Sequence, residues 1–228
     1  MKKYLFEFLA VFLGIIGGFA VEEYRETKNE FEDTKKALSF IYYDMFIDSI
    51  EYISRLEQIN QDIENLALGI DGKPLTLVEF KRLHKGLRSI TNYHLRRYGI
   101  DYLTNNIQHP RMQSDSILTL ITGYYTNSTE TGNFGKWNSY YSEIANESYV
   151  KLFESFPNFF SNDTTLANDE IQENLEQFLQ SPYWQGRINL AYREKRDLIK
   201  PIFEENQYWN TEILRQLRTE IPNYKPHQ

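Results

Sequence analysis

Cysteine is absent from this 228-residue chain, and histidine occurs only four times. Without cysteine the chain forms no disulfide, has no thiol nucleophile and offers no thiolate to a metal. The histidines, His84, His94, His109 and His227, include no pair at the i, i+4 spacing of a helical zinc site. We therefore expect no metal, no cofactor and no catalytic residue, and we interpret the histidines as surface or structural side chains.

Basic residues are also in the minority. The chain has 25 lysines and arginines against 32 aspartates and glutamates, which gives a net charge of −7. Proteins that bind nucleic acid usually carry clustered basic residues that neutralise phosphates, and no such cluster is present. The sequence also lacks a P-loop, a Rossmann glycine fingerprint and a G-x-S-x-G elbow. We predict no nucleic-acid partner and no enzymatic activity.

The period-two alternation of a half-buried strand persists nowhere, and glycine and proline are missing between Glu22 and Leu66. Apolar residues instead recur every three or four positions, which is the helical signature. We predict an all-α fold, in which an N-terminal transmembrane helix continues into a long helix and is followed by a helical bundle domain.

The chain has one long apolar run, Tyr4–Val21. At ~1.5 Å per residue, a helix over this run covers roughly 27 Å, close to the ~30 Å of a bilayer hydrocarbon core. We predict a transmembrane anchor at residues 1–21, a polar helical stalk at 22–37 and the bundle domain at 38–228. A cleaved signal peptide is the alternative, and Glu7 inside the apolar run favours the uncleaved anchor.

Small and large residues lie on different faces of this predicted helix. The small face carries Ala10, Gly14, Gly17 and Gly18, together with Glu7. In lipid, small residues let a second helix approach closely, so we predict a homo-oligomer or a membrane protein partner. Glu7 is either an ion or proton site, or a carboxylate near the membrane surface that pairs with Lys3; we favour the second.

Basic residues on both sides of the run bear on its orientation. Lys2 and Lys3 favour a cytoplasmic N-terminus, whereas Arg25, Lys28 and the lysines at 35 and 36 favour the reverse. We adopt the first orientation, because the reverse one requires translocation of the Lys-Lys tail. The chain would then be a single-pass protein of the bacterial inner membrane with its bulk in the periplasm.

Spacing and cap residues predict the later helices. They cover residues 38–70, 77–89, 91–98, 100–107, 114–126, 136–155, 169–180 and a last long helix from 182, with loops at 108–113, 127–135 and 156–168. Gly99 is expected to end the helix at 91–98 or to mark a bend after it. Thr76 and Glu79 fit a capping box, Ser181 fits an N-cap before Pro182, and Pro201 predicts a kink.

Two apolar stripes are expected to form much of the core. The first helix contributes Leu38, Ile41, Tyr42, Met45, Tyr52, Ile53, Leu56, Ile59, Ile63, Leu66 and Ile70. The last helix contributes Trp184, Ile188, Ala191, Leu198, Ile202, Trp209, Ile213 and Leu217. Both stripes follow the helical period, and the polar gaps in the first favour a bundle over a pure coiled coil.

Three groups of residues resemble a family of uncharacterised single-span bacterial membrane proteins. They are the anchor with Glu7, Gly14-Ile15 and the exit Glu23-Tyr24-Arg25; Tyr93-His94-Leu95 with Gly99-Ile100 and Leu103–Asn106; and Tyr124-Tyr125. The exit departs from the Asn-Trp that the family favours. The resemblance implies membrane attachment and a helical domain, and it implies no activity.

The sequence leaves three classes of function open. We favour a membrane-anchored interaction or structural protein that assembles with itself or with a membrane partner. The alternatives are a periplasmic sensory module, because a long helix leads from the anchor into a bundle, and a subunit of an ion-coupled membrane complex that uses Glu7.

Overall fold

The computed structural model describes residues 2–70, 73–89, 94–107, 110, 115–127, 143, 146–155 and 168–221, without the side chains of residues 2–5, 7, 115, 127, 168–171 and 220. All regular elements in these ranges are helices, which confirms the all-α fold. The predicted loops at 108–113, 127–135 and 156–168 lie outside the described residues except at three positions: residue 110 is not helical, whereas Asn127 ends one helix and Asn168 begins another. Most of the first half of the predicted helix at 136–155 also lies outside the described residues.

The longest element is α1 (Lys2–Ile70), an unbroken helix of 69 residues. It runs through the predicted anchor and stalk, as expected from a stretch without glycine or proline between residues 22 and 66. No helix among the described residues is both long and apolar enough to cross a membrane. The transmembrane part of the fold, and the domain boundaries at 21 and 37, stay predictions.

Helix α2 (Leu77–Arg88) begins as the sequence predicts. The Thr76 side chain accepts a hydrogen bond from the backbone N–H of Glu79, and the Glu79 carboxylate accepts one from the backbone N–H of Thr76 at 2.8 Å. This reciprocal pair is a capping box, and it satisfies amides that the first turn of a helix leaves without partners.

Helix α3 (Tyr98–Asn106) corrects the prediction for this region. The described residues 94–97 are not helical, so the helix predicted at 91–98 is wrong over that part, and α3 starts two residues earlier than the predicted helix at 100–107. Gly99 is therefore in the first turn of a helix and does not end one. Its position is explained by a close contact with α1, described below.

The remaining helices agree with the predicted order. They are α4 (Asp115–Asn127), α5 (146–155), α6 (Asn168–Gln180), α7 (Pro182–Glu194) and α8 (Lys200–Glu220). A π-helical turn, Lys195–Ile199, joins α7 to α8. Ser181 is the N-cap of α7 and Pro182 lies in its first turn, although the Ser181 side chain makes no capping hydrogen bond.

The π turn explains why the stripe predicted for the last helix is partly wrong. It ends two residues before Pro201, which has no N–H to donate, and the N–H of Lys200 donates to the carbonyl of Lys195, five residues back. The wider turn moves the buried face by one position. Ile199 and Phe203 are buried, whereas Leu198 and Trp209, which we expected in the core, are about 40% exposed.

The chain divides into two compact units. The first unit is Met1–Phe46, Arg96–Thr122 and Ile213–Gln228, and the second unit is Ile47–Leu95 and Gly123–Glu212. Buried apolar side chains of the first unit come from α1, α3, α4 and the end of α8: Ala37, Leu38, Ile41, Tyr42, Met45, Ile100, Leu103, Ile117, Ile121, Ile213, Leu214 and Leu217. The second unit has a core of Leu66, Leu75, Phe80, Leu83, Leu152, Leu175, Phe178, Trp184 and Ile188.

The stripe predicted on α1 is largely buried, with one error and several omissions. Ile53 is 52% exposed, because the buried face passes through Tyr52 and the next residue lies about 100° around the helix. Polar residues occupy buried positions that we had not assigned to the core: Asp44, Asp48, Asp62 and Asn65. A buried carboxylate requires partners, so these positions identify sites of interest.

Candidate functional site

The predicted helix-packing face lies in the exposed first part of α1. Ala10, Gly14, Gly17 and Gly18 are all exposed, and a Cβ atom added at any of the three glycines would have no neighbour within 4 Å. The chain itself therefore leaves this face open. The side chain of Glu7 is outside the described residues, so its orientation stays a prediction.

Large apolar side chains cover the rest of this segment and are also exposed. Phe6, Phe8, Leu9, Val11, Phe12, Leu13, Ile15, Ile16, Phe19 and Val21 are between 42% and 72% exposed. Residues 8–21 include no charged residue. Soluble monomers rarely expose a continuous apolar surface of this kind, and such surfaces mark contact with a protein or a membrane.

A buried carboxylate in the first unit contacts the start of α3. Asp44 is 5% exposed, and its Oδ2 accepts a hydrogen bond of 2.7 Å from the backbone N–H of Gly99. Burial raises the pKa of Asp44 above its ordinary value, against the lowering effects of that hydrogen bond and of Arg96. Sequence reasoning missed this contact, because 55 residues separate the partners.

A buried ion pair lies in the second unit. Lys195 Nζ donates to Asp62 Oδ2 at 2.8 Å and to the backbone carbonyl of Ser89 at 2.9 Å, and the charged side chains are only 3% and 2% exposed. Burial lowers the pKa of Lys195, while the attraction of Asp62 raises it. The partners are 133 residues apart, and only the position of Asp62 near the apolar stripe of α1 could have suggested its burial.

The second unit also contains a buried polar cluster. The hydroxyls of Tyr52 and Tyr124 are 2.9 Å apart, and Asn210 Nδ2 lies 3.4 Å from the Tyr124 oxygen. Burial raises the pKa of Tyr124 well above its ordinary value, so this phenol stays protonated. Tyr124 is one of the residues that carry the family resemblance, and its role here is to satisfy hydrogen bonds inside the core.

A small cleft in the second unit is lined mainly by α2, α5 and α7. It encloses about 190 Å³ including its open mouth, and its walls include His84, Arg88, Ser148, Tyr149 and Trp184. The enclosed part has room for about one water molecule, which is far less than a small ligand needs. Arg88 lies over the Tyr149 ring at 4.6 Å, so the cleft is a packing feature with a basic rim.

The two histidines that the structure describes differ in burial. His84 is partly buried, and burial lowers its pKa, whereas His94 is exposed. His109 and His227 lie outside the described residues. Among the described residues, no three His, Cys, Asp or Glu side chains are arranged to hold a metal ion.

Comparison with protein-family models, with characterised proteins and with solved structures found no match for this chain. The family resemblance seen in the sequence therefore stays a prediction, as do the functions considered from the sequence.

Proposed function

We propose that this chain is a membrane-anchored helical protein that assembles with itself or with a membrane partner. Residues 1–21 are the anchor in this proposal, and the later residues form a helical interaction or structural domain. The exposed apolar surface of α1 between residues 6 and 21 is the observation that supports it most directly.

Exposure of this surface to water is unfavourable. Burying one large aliphatic or aromatic side chain contributes about 1.5–3 kcal/mol, and the segment carries ten such side chains. Phe6 and residues 8–21 are all exposed and gain no burial from the described part of the chain. A bilayer removes the apolar side chains from water, and a helix already satisfies its own backbone hydrogen bonds there.

The orientation follows the charge argument. With Lys2 and Lys3 in the cytoplasm, the stalk at residues 22–37 and the helical domain from residue 38 onward lie in the periplasm of a bacterial inner membrane. A reporter that is active only in the periplasm should therefore be active when fused to the C-terminus. Activity only for a cytoplasmic reporter at the same position would reverse the proposed orientation.

Membrane attachment is tested on the full chain by alkaline carbonate extraction. We expect the wild type to stay in the membrane pellet and a Leu13→Arg/Ile16→Arg variant to be lost from it, because each arginine is costly at the centre of a bilayer. Glu26→Arg, in the exposed stalk, is the matched control and should pellet like the wild type. Release of the wild-type chain by carbonate would contradict the anchor.

Assembly through the small face is tested separately. Gly14→Leu and Gly18→Leu place their side chains in open space, since an added Cβ has no neighbour within 4 Å at either position. Any loss of oligomer in these variants therefore reports on a second molecule. Phe12→Leu is the control on the lipid-facing side and should leave crosslinking in native membranes unchanged. Unchanged crosslinking in both glycine variants would leave the anchor as a simple tether.

Glu7→Gln distinguishes the favoured proposal from the ion-coupled alternative. For a carboxylate near the membrane surface, glutamine should be nearly neutral. For an ion or proton site, glutamine should abolish ion or proton coupling and leave the oligomer intact, because it removes the charge of Glu7 and keeps nearly the same side-chain shape. A pull-down in mild detergent with mass determination would identify the partner in either case.

A further inference from the structure

Helix α3 starts without a cap from its own N-cap residue. Arg97 occupies that position and makes no capping hydrogen bond through its side chain, which lies 3.5 Å from Asp101 one turn later. The first amides of a helix have no partner within the helix. One of them, the N–H of Gly99, donates to Asp44 Oδ2 at 2.7 Å, and Asp44 belongs to α1.

Gly99 allows this contact because it has no side chain. A Cβ atom at position 99 would overlap the backbone nitrogen of Ile41 and would lie 2.6 Å from the carbonyl carbon of Phe40. The backbones of α1 and α3 therefore touch here. Phe40 also meets the ring of Tyr98 edge to face, with centroids 5.0 Å apart, so aromatic packing holds the same turn.

The charge of Asp44 suits its position. A carboxylate at a helix N-terminus interacts favourably with the partial positive charge of the orphan amides. Arg96, just before α3, attracts the Asp44 carboxylate, and Asp101 in α3 repels it. Aspartate is a preferred N-cap residue, and here the same chemistry is supplied from another helix.

We propose that Asp44 is the N-cap of α3 supplied from α1, and that this contact is a latch that orders the start of α3. The first turn of α3 stays helical only while α1 holds the Asp44 carboxylate within hydrogen-bond distance of the Gly99 amide. A change in the position of α1, or loss of the acceptor at residue 44, releases that turn before it disturbs the rest of the first unit. The proposal does not depend on the membrane anchor.

The test is amide hydrogen exchange on the full chain in a mild detergent. In Asp44→Ala, the Gly99 amide should exchange roughly tenfold faster than in the wild type, the scale expected from loss of one capping interaction. Asp44→Asn retains an acceptor oxygen and should keep most of the protection. Asp33→Asn removes an exposed carboxylate from α1 and should leave Gly99 unchanged.

Asp44→Leu is included because alanine leaves a cavity that could unfold the unit. Leucine fills the space without an acceptor, and it should release the Gly99 amide as alanine does. Unchanged exchange at Gly99 in both apolar variants would overturn the proposal. An equal increase at Gly99 and at the buried positions Ile41 and Met45 would also overturn it, because that result indicates general loss of packing.

Discussion

The two compact units each bury a charged side chain against the end of a helix, but they balance the charge differently. In the first unit the carboxylate of Asp44 meets the N-terminus of α3. In the second unit the ammonium of Lys195 donates to the backbone carbonyl of Ser89, the residue that caps the C-terminal end of α2. Each sign matches the partial charge of the helix end it faces.

The difference lies in the counter-charge. Lys195 has Asp62 at 2.8 Å, so the second unit buries a pair, whereas the hydrogen bond to Asp44 comes from an uncharged backbone amide. Burial shifts the pKa of each group toward its neutral form. The buried charge of Lys195 is stabilised by the opposite charge of Asp62, whereas the buried carboxylate of Asp44 is stabilised by the backbone amide of Gly99 at the start of α3. The two units should therefore respond differently to substitution.

Removal of one member of the pair should have the largest effect. Lys195→Met leaves the Asp62 carboxylate buried without its cation, which should reduce the free energy of unfolding by about 3–5 kcal/mol. The double variant Asp62→Leu/Lys195→Met should recover most of this loss, because neither charge is then buried. Denaturant unfolding of the full chain in mild detergent measures both.

The exposed ion pair Glu147–Lys151, also at 2.8 Å, provides the matched control. Its charges face solvent, so Lys151→Met should change stability by less than about 1 kcal/mol. If Lys195→Met were no more destabilising than Lys151→Met, the buried pair would not be a structural element of the second unit.

Two glycines make the next comparison. Gly99→Ala in the first unit places a Cβ atom within 2.6 Å of three backbone atoms of α1 and should cost about 3 kcal/mol, the upper part of the range for overpacking. Gly86→Ala in the second unit meets the Leu66 side chain at 3.0 Å and the Asp62 carbonyl at 3.1 Å, so we expect about 1 kcal/mol. Thermal unfolding followed by circular dichroism would rank them, and the reverse order would show that α1 and α3 separate readily.

Local sequence signals predicted most of the helices and few of the contacts that distinguish the units. Thr76 and Glu79 predicted the start of α2, because a capping box involves residues three apart. Lys195 and Asp62 are distant in sequence, and no local pattern reports a contact of that kind. Pro201 indicated a disturbed helix, but the sequence did not predict the π turn that moves the buried face from Leu198 to Ile199.

Gly99 shows the same limit in the candidate latch. A glycine after a helical stretch usually marks a helix end, and we predicted an end or a bend there. The close approach of α1 explains the glycine instead, and that approach is a tertiary feature. The exposed small face of residues 10–18 was predicted from local size alone, and its partner is still a proposal.

The smallest expected effect is on the pH dependence of stability at Asp44. Its pKa is raised in the folded chain above the ordinary value of 3.8, so the folded state holds this proton more tightly than the unfolded state does. The stabilising contribution of the protonated Asp44 is therefore complete below pH 3.8 and is lost as the pH rises through the folded pKa.

Asp44→Asn removes the titration and keeps an acceptor for Gly99. At pH 7 the variant should equal or exceed the wild type by at most about 1 kcal/mol, and the difference should shrink toward pH 4. Denaturant unfolding at a series of pH values measures it; a variant that is less stable than the wild type at pH 7, with a gap that closes in acid, would show that the ionised carboxylate is the favoured form and would reverse the sign argued here.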